Sequence, residues 1–252
     1  MKIDLSGKHI LVTGASRGIG KAIASQLIRS GATVIAHYNS NPIQLDDFSD
    51  EEKKRVISIK ANLEEVSDTV DLFKKTIAKV GSLDVIINNA GLAVGVDPDG
   101  SLENFVAGWQ TTMAVNLQAV GILCNLAVDH FKGKAGGLII NISSRAAFRG
   151  DTAEYLAYAA SKGGVVALTR SIARAYGKQG VVAFNVAPGF VKTDMADEFI
   201  EIYGEGIVKD DIALSELTQP QDLAPLITLL ASGMANHATG GTFDINAGSY
   251  VH

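Results

Sequence analysis

Cysteine is nearly absent: Cys124 is the one cysteine in 252 residues. No disulfide can form within the chain, and the reducing cytoplasm is the expected compartment. Clustered positive charge is also lacking. Lys and Arg total 22 against 27 acidic residues, a net charge of -5, and no basic block gathers them. Nucleic acid and anionic membrane are therefore disfavoured as partners, since both need concentrated cations. No apolar run approaches the ~20 residues of a bilayer span. Met1-Lys2-Ile3-Asp4-Leu5 has no signal-peptide core before strand-like sequence begins. There is no internal repeat, low-complexity tract or linker rich in Pro, Gly or Ser, so residues 1–252 read as a single domain. No metal is expected.

What is present is a large apolar fraction, 47% of the chain, which excludes disorder. It is arranged in alternating short apolar runs and helical stripes. Strands are expected at 8–13, 32–38, 56–60, 83–88, 137–143, 181–187 and 241–246. Helices are expected at 18–30, 64–80, 155–176 and 220–231, with one or two more within 101–131. In 64–80 the stripe is Val66, Val70, Phe73, Ile77 and Val80. Strands apolar on both sides, each followed by a helix, predict an α/β fold. The expected form is a Rossmann-type, doubly wound parallel sheet of about seven strands with helices on both faces. Cys124 falls in an apolar helical stretch and reads as a packing residue. Residues 193–218, acidic and Gly-containing after a strand end, are the expected substrate lid.

Two patterns carry chemistry. Thr13-Gly14-Ala15-Ser16-Arg17-Gly18-Ile19-Gly20 links the first strand to the first helix. Glycines there let the backbone approach a pyrophosphate at the positive end of a helix. The second pattern is Tyr158-Ala-Ala-Ser-Lys162. Residues four apart share a helix face, and an ammonium beside a phenol favours the phenolate. That makes the pair a candidate acid–base group. Tyr155 has Ala159 at the same spacing and no lysine partner, so it reads as a pocket or packing residue.

Together with Asn88-Asn89-Ala90-Gly91 after the fourth strand, these motifs resemble the set that marks short-chain dehydrogenases/reductases, and the resemblance spans essentially the whole chain. It implies that Gly14, Ser16, Arg17, Gly18, Ile19 and Gly20 hold the cofactor diphosphate, with Asn89, Ala90 and Gly91 on the adenosine side. Asn62 would contact adenine and Leu63 would pack on it. Four catalytic residues are implied. Tyr158 is the general acid, and Lys162 lowers its pKa and binds the nicotinamide ribose. Ser144 hydrogen-bonds the carbonyl oxygen, and Asn116 holds a water that connects Lys162 to solvent. Ser143 competes with Ser144, since strand alternation sends the two to opposite faces; Ser144 matches the second Ser of the family pattern. Pro188, Gly189, Val191 and Thr193 resemble the segment that receives the nicotinamide carboxamide.

The acid that marks NAD-specific relatives would fall on Tyr38, and no Asp or Glu stands nearby in Tyr38-Asn39-Ser40-Asn41. Asn39 and Ser40 offer donors and Arg17 a charge, so NADP(H) is favoured over NAD(H). The glycine turn and Ala187-Pro188-Gly189-Phe190-Val191 also resemble bacterial beta-ketoacyl-acyl-carrier-protein reductases. Lys132, Lys134 and Lys178 stand where that group presents arginines to its acidic carrier, and Gln179 where one of those arginines is expected. The expected activity is hydride transfer between nicotinamide and a small-molecule carbonyl or secondary alcohol. A beta-ketoacyl carrier thioester, a sugar or a steroid are narrower alternatives, and a non-catalytic NADP(H) sensor or scaffold is an alternative of another class. The resemblance also implies a homo-oligomer, dimer or tetramer, built through helices 102–131 and 155–176.

Overall fold

In the computed structural model, residues 3–193 and 205–251 are described. Seven parallel strands form one sheet in the order β3-β2-β1-β4-β5-β6-β7. They are β1 (His9–Val12), β2 (Thr33–Tyr38), β3 (Val56–Lys60), β4 (Val85–Asn88), β5 (Gly137–Ile142), β6 (Val181–Pro188) and β7 (Thr242–Ile245). The expected doubly wound α/β sheet is what forms. Each central strand serves two cores, because successive side chains point to opposite faces. Ile10 and Val12 join α1 (Gly18–Arg29) and a late helix, Pro220–Ser232, through Ile23, Leu27, Ile227 and Leu230. Leu11, between them, faces the other way, toward Leu72, Phe73, Leu123 and Phe131. Burying one such Leu or Ile contributes about 1.5–3 kcal/mol, so a one-residue slip of β1 would turn both cores inside out.

The short α2 (Asp50–Lys53) is held by a capping box in which Ser49 and Glu52 satisfy each other's backbone N–H. α3 (Val66–Val80) forms where expected, but its buried face is Thr69, Leu72, Phe73 and Thr76, and Val66 at the head of the expected stripe is exposed. The 102–132 run is one continuous helical rod. α4 (Leu102–Met113) passes through a π-turn, Ala114–Gln118, into α5 (Ala119–Lys132). By length and apolar composition that rod would also span a bilayer, longer than any apolar run the sequence displays. Its α5 half packs Val120, Leu123, Ala127 and Phe131 into the second core, which is the behaviour of a core helix.

A short α6 (Ala146–Arg149) follows β5, and α7 (Leu156–Tyr176) follows it. α8 (Glu205–Asp210) and α9 (Pro220–Ser232) are the last α-helices among the described residues. Of the expected lid, residues 194–204 lie outside the described residues. The remainder holds α8, and a parallel bridge joins Val191 to Thr218. β1 pairs with β2 on one side and β4 on the other. The chain order reverses there, and the carboxyl ends of β1 and β4 open a crevice.

Candidate active site

The two strand ends at the crevice are laced together. Thr13 Oγ1 accepts the N–H groups of Asn89 (2.9 Å) and Ala90 (3.0 Å), and Asn89 Nδ2 donates to Thr13 O (2.9 Å) and Gly14 O (3.2 Å). Gly14 has φ +64, a left-handed conformation costly for other residues. Gly20 is required for a different reason: a Cβ there would lie 2.0 Å from Gly14 O. Arg17 at the N-cap of α1 makes no side-chain cap, and no acid stands in the first turn. The first-turn amides and the positive end of α1 therefore face the crevice, as an anion requires.

The crevice is a cavity of about 800 Å³. Gly14, Ser16, Arg17, Gly18, Ile19 and Gly20 line one end, with Asn39, Ser40, Asn62 and Leu63 beside them. Asn89, Ala90, Gly91 and Thr193 carry the lining onward. A glycine cradle, uncapped amides and this volume fit a dinucleotide. Tyr38 is not among the lining residues; His37 and Asn39 are. Strand parity explains the correction, since the side chain between two crevice-facing neighbours points to the other face. Pro188, Gly189 and Val191 also lie outside the lining. A Cβ on Gly189 would lie 2.7 Å from Asn246 Cα, so this glycine serves the close approach of the chain after β6 to the chain after β7.

His37 has no counterpart among the expected residues. Its Nδ1 accepts the Gly14 N–H (3.1 Å), so Nε2 carries the proton and donates to Ala61 O (3.1 Å). Burial pushes its pKa down, against the opposing bond to Ala61, and the neutral ring is the form these bonds require. The available signal was a polar side chain inside an apolar strand.

At the far end, Gly91 meets Lys162 and Asn116. A Cβ on it would lie 3.3 Å from Lys162 Nζ and 3.4 Å from Asn116 Oδ1. Lys162 is buried, donates to Ile142 O (3.0 Å) and stands 5.7 Å from the Tyr158 ring centroid. Ser144 hydrogen-bonds the Tyr158 phenol and also accepts the Ala146 N–H (3.1 Å). Ser143 donates instead to Val186 O (3.2 Å), away from the phenol. Asn116 sits in the π-turn. Its Nδ2 donates to Leu92 O (2.8 Å) and Ser161 Oγ (3.2 Å), and its Oδ1 accepts the Leu92 N–H (3.0 Å). The amide is thus engaged with protein at both ends, where a water-holding role was expected. Tyr155 flanks Gly95 at the start of α7.

The charges differ from the simple tyrosine–lysine expectation. Burial pushes Lys162 down to about 8. Tyr158 as a residue is half-buried, but its phenol is enclosed enough that burial raises its pKa. The Ser144 bond opposes that rise, Asp151 adds to it, and Arg145 counters it. The Lys162 ammonium lies over the Tyr158 ring while donating to Ile142 O. Cys124 is buried, with its thiol pushed up to about 12, and is chemically inert.

A family model for short chain dehydrogenases matches residues 8–203. The chain belongs to the short-chain dehydrogenase family. It is 33% identical to a 3-oxoacyl-(acyl-carrier-protein) reductase of Staphylococcus aureus, over 97% of this chain and 98% of that one. The reductase of the same name from Synechocystis is 34% identical, over 97% of each chain. A solved Sinorhizobium meliloti structure, assigned as a short-chain alcohol dehydrogenase, superposes with a TM-score of 0.86 at 26% identity, covering 99% and 98% of the two chains. As a short-chain dehydrogenase the protein is an oxidoreductase acting on CH–OH or carbonyl groups. The family implies a nicotinamide cofactor, which the crevice fits.

Proposed function

We propose that this short-chain dehydrogenase is an NADP(H)-dependent reductase of carbonyls, or oxidant of secondary alcohols, with Tyr158 as general acid–base. The observation that carries the reading is the Ser144–Tyr158–Lys162 constellation at the end of the dinucleotide crevice. The bound nicotinamide supplies or accepts the hydride. In reduction, Ser144 and Tyr158 donate hydrogen bonds to the carbonyl oxygen, where negative charge accumulates. Tyr158 then gives its proton to that oxygen and becomes phenolate; oxidation runs the same transfer backwards. Lys162 holds positive charge beneath the ring, and Asn116 fixes the Leu92 backbone beside Gly91.

The NADP(H) preference rests on Asn39, Ser40 and Arg17 lining the crevice where the end of β2 supplies no acid. A 3-oxoacyl carrier thioester is a second reading, supported by the relatives' names. Against it, Lys132 is already paired with Asp129 (2.8 Å) and Lys134 with Asp84 (3.0 Å). A cytoplasmic homo-oligomer is part of the proposal. Leu102, Phe105, Val106 and Leu156 expose apolar surface on α4 and at the start of α7, a face suited to a second copy.

The test is NADPH consumption against ketones, diketones, quinones and 3-oxoacyl thioesters. Tyr158→Phe is expected to lower turnover about 10²–10⁴-fold while cofactor binding persists. Full activity in that variant would sink the reading. Cofactor binding with no turnover on any class would favour a sensor.

A further inference from the structure

A strap of backbone, residues 91–96, runs along the face of α7 that carries Tyr158. Tyr155, the N-cap of α7, falls on one stripe with Tyr158 and Lys162, at spacings of three and four residues. Gly91 stands against Lys162 at the inner end of that stripe, and Gly95 against Tyr155 at the outer end. From Tyr155 to Lys162 is about 10 Å along the helix. The steps from Gly91 to Gly95 reach at most about 14 Å, so the strap is close to extended and its side chains alternate. Val94 and Val96 turn to α4, where a Cβ on Gly108 would lie 3.5 Å from Val94 Cγ1 and 2.5 Å from Val96 Cγ2. Gly95, between them, turns to α7.

The strap is pinned on both sides of this contact. Asn116 bonds the N–H and the C=O of Leu92 (3.0 and 2.8 Å), and the Val96 N–H donates to Glu154 O (3.0 Å). The Tyr155 ring fills the space between strap and helix. A Cβ on Gly95 would lie 3.4 Å from the phenol oxygen, 3.5 Å from Cε1 and 3.6 Å from Cζ. The ring tip and the strap therefore leave room for one methyl group and nothing larger. We propose that Tyr155 is a specificity-determining residue: its ring closes the cleft against Gly95 one turn beyond Tyr158 and admits only a short substituent on that side of the substrate carbonyl. The inference rests on Tyr158 being the acid–base group. A carbonyl oxygen at Tyr158 lies between Lys162 and Tyr155, so one arm of the carbonyl carbon is directed along the strap into the closed end. Pinned at Leu92 and Val96, the strap cannot recede to admit a longer arm. The substrate class is a ketone with one short arm, and Tyr155 sets no limit on the other.

The experiment compares two ketone series with NADPH. Alkan-2-ones from butanone to nonan-2-one keep one arm at methyl, whereas pentan-3-one, heptan-4-one and nonan-5-one lengthen both. In wild type, kcat/KM is expected to hold level across the first series and to fall at least about tenfold across the second. Tyr155→Ala is expected to recover most of that fall and to lower the enantiomeric excess of the octan-2-ol produced, because the methyl arm is no longer selected. Tyr155→Phe, which keeps the ring, is expected to retain the wild-type pattern. Gly95 is outside the left-handed region, so Gly95→Val adds bulk without backbone strain and is expected to deepen the fall. Where turnover is slow, inhibition constants against a carbonyl that is turned over replace kcat/KM, with the same ratios expected. A wild type that treats the two series alike overturns the proposal, as does Tyr155→Ala with an unchanged ratio between them. If Tyr155→Ala does not fold, an unchanged ratio in Gly95→Val overturns it instead. Failure of the parent reading is separate: there, Tyr158→Phe keeps full activity on every ketone.

Discussion

The two ends of the crevice are held by different forces. At the glycine-turn end, neutral short-range bonds tie the backbone segments together: Thr13 to Asn89 and Ala90, Asn89 to Gly14, and His37 between Gly14 and Ala61. At the substrate end, ionised groups oppose one another: Lys162, Arg145, Arg149, Asp211 and Asp151. The first end is a steric mould, and a single methyl group can spoil it. The second is an electrostatic balance, which tolerates changes of shape better than changes of charge. Damage at the first should appear in cofactor affinity and be nearly independent of pH, with His37 as the exception. Damage at the second should appear as displaced pH limbs.

The strongest way to break this contrast is Gly20→Ala. With a Cβ only 2.0 Å from Gly14 O, the turn must move, at a cost of about 3 kcal/mol. The expected result by fluorescence titration is cofactor binding about a hundredfold weaker, with an unshifted pH profile. Equal cofactor affinity in the variant would mean the turn is not a mould.

His37→Leu should act at the same end but less strongly. It leaves the Gly14 N–H and Ala61 C=O without partners, a loss of about 1–3 kcal/mol and about tenfold in cofactor affinity. His37→Gln, which can accept and donate in the same directions, should recover most of it. The folded pKa of His37 is depressed. Its contribution to stability is therefore complete above the unfolded value of ~6.5 and is lost as pH falls from there through the folded pKa. Thermal melts that weaken below that pH in wild type, but not in His37→Leu, would sharpen the contrast.

The smallest effect is expected at a charged site remote from both ends. Asp84 accepts the His9 N–H (2.9 Å) and Lys134 Nζ (3.0 Å) at the amino-terminal ends of the central strands β1 and β4, opposite the crevice. Burial works to raise its pKa, but those bonds outweigh it and the pKa is lowered. Its contribution is present above the unfolded pKa and lost as pH falls through the lower folded one. Asp84→Asn should cost about 1–2 kcal/mol in denaturant unfolding and leave the kcat limbs in place. A moved limb would mean that remote charges tune Tyr158 as well, and the electrostatic account would lose its locality.

Much of this was legible in the chain, for local reasons. The β3 and α3 runs read out through apolar period, and the glycine turn through its strand–helix position. Tyr158 was separable from Tyr155 because only one has a lysine on its face. Other features had no local trace. Tyr38 was assigned to the crevice by counting from the glycine turn, and the parity of β2 gave that place to His37 and Asn39. The π-turn at Asn116 interrupts a helical pattern that continues without change of period. α6 is too short to show any period.

The sequence by itself determined the doubly wound fold, the glycine turn and the Tyr158–Lys162 pair. The fold is written in the alternation of apolar runs and helical stripes along the chain, and the other two in spacings of a few residues, where backbone geometry dictates which side chains meet. Tertiary structure alone decided the charges. Whether Lys162 faces the phenol oxygen or Ile142 O, and whether Arg145 has a counter-ion, depends on burial and on a carboxylate 66 residues away. Desolvation and Coulomb energy depend on distance through space, which residue spacing along the chain does not encode.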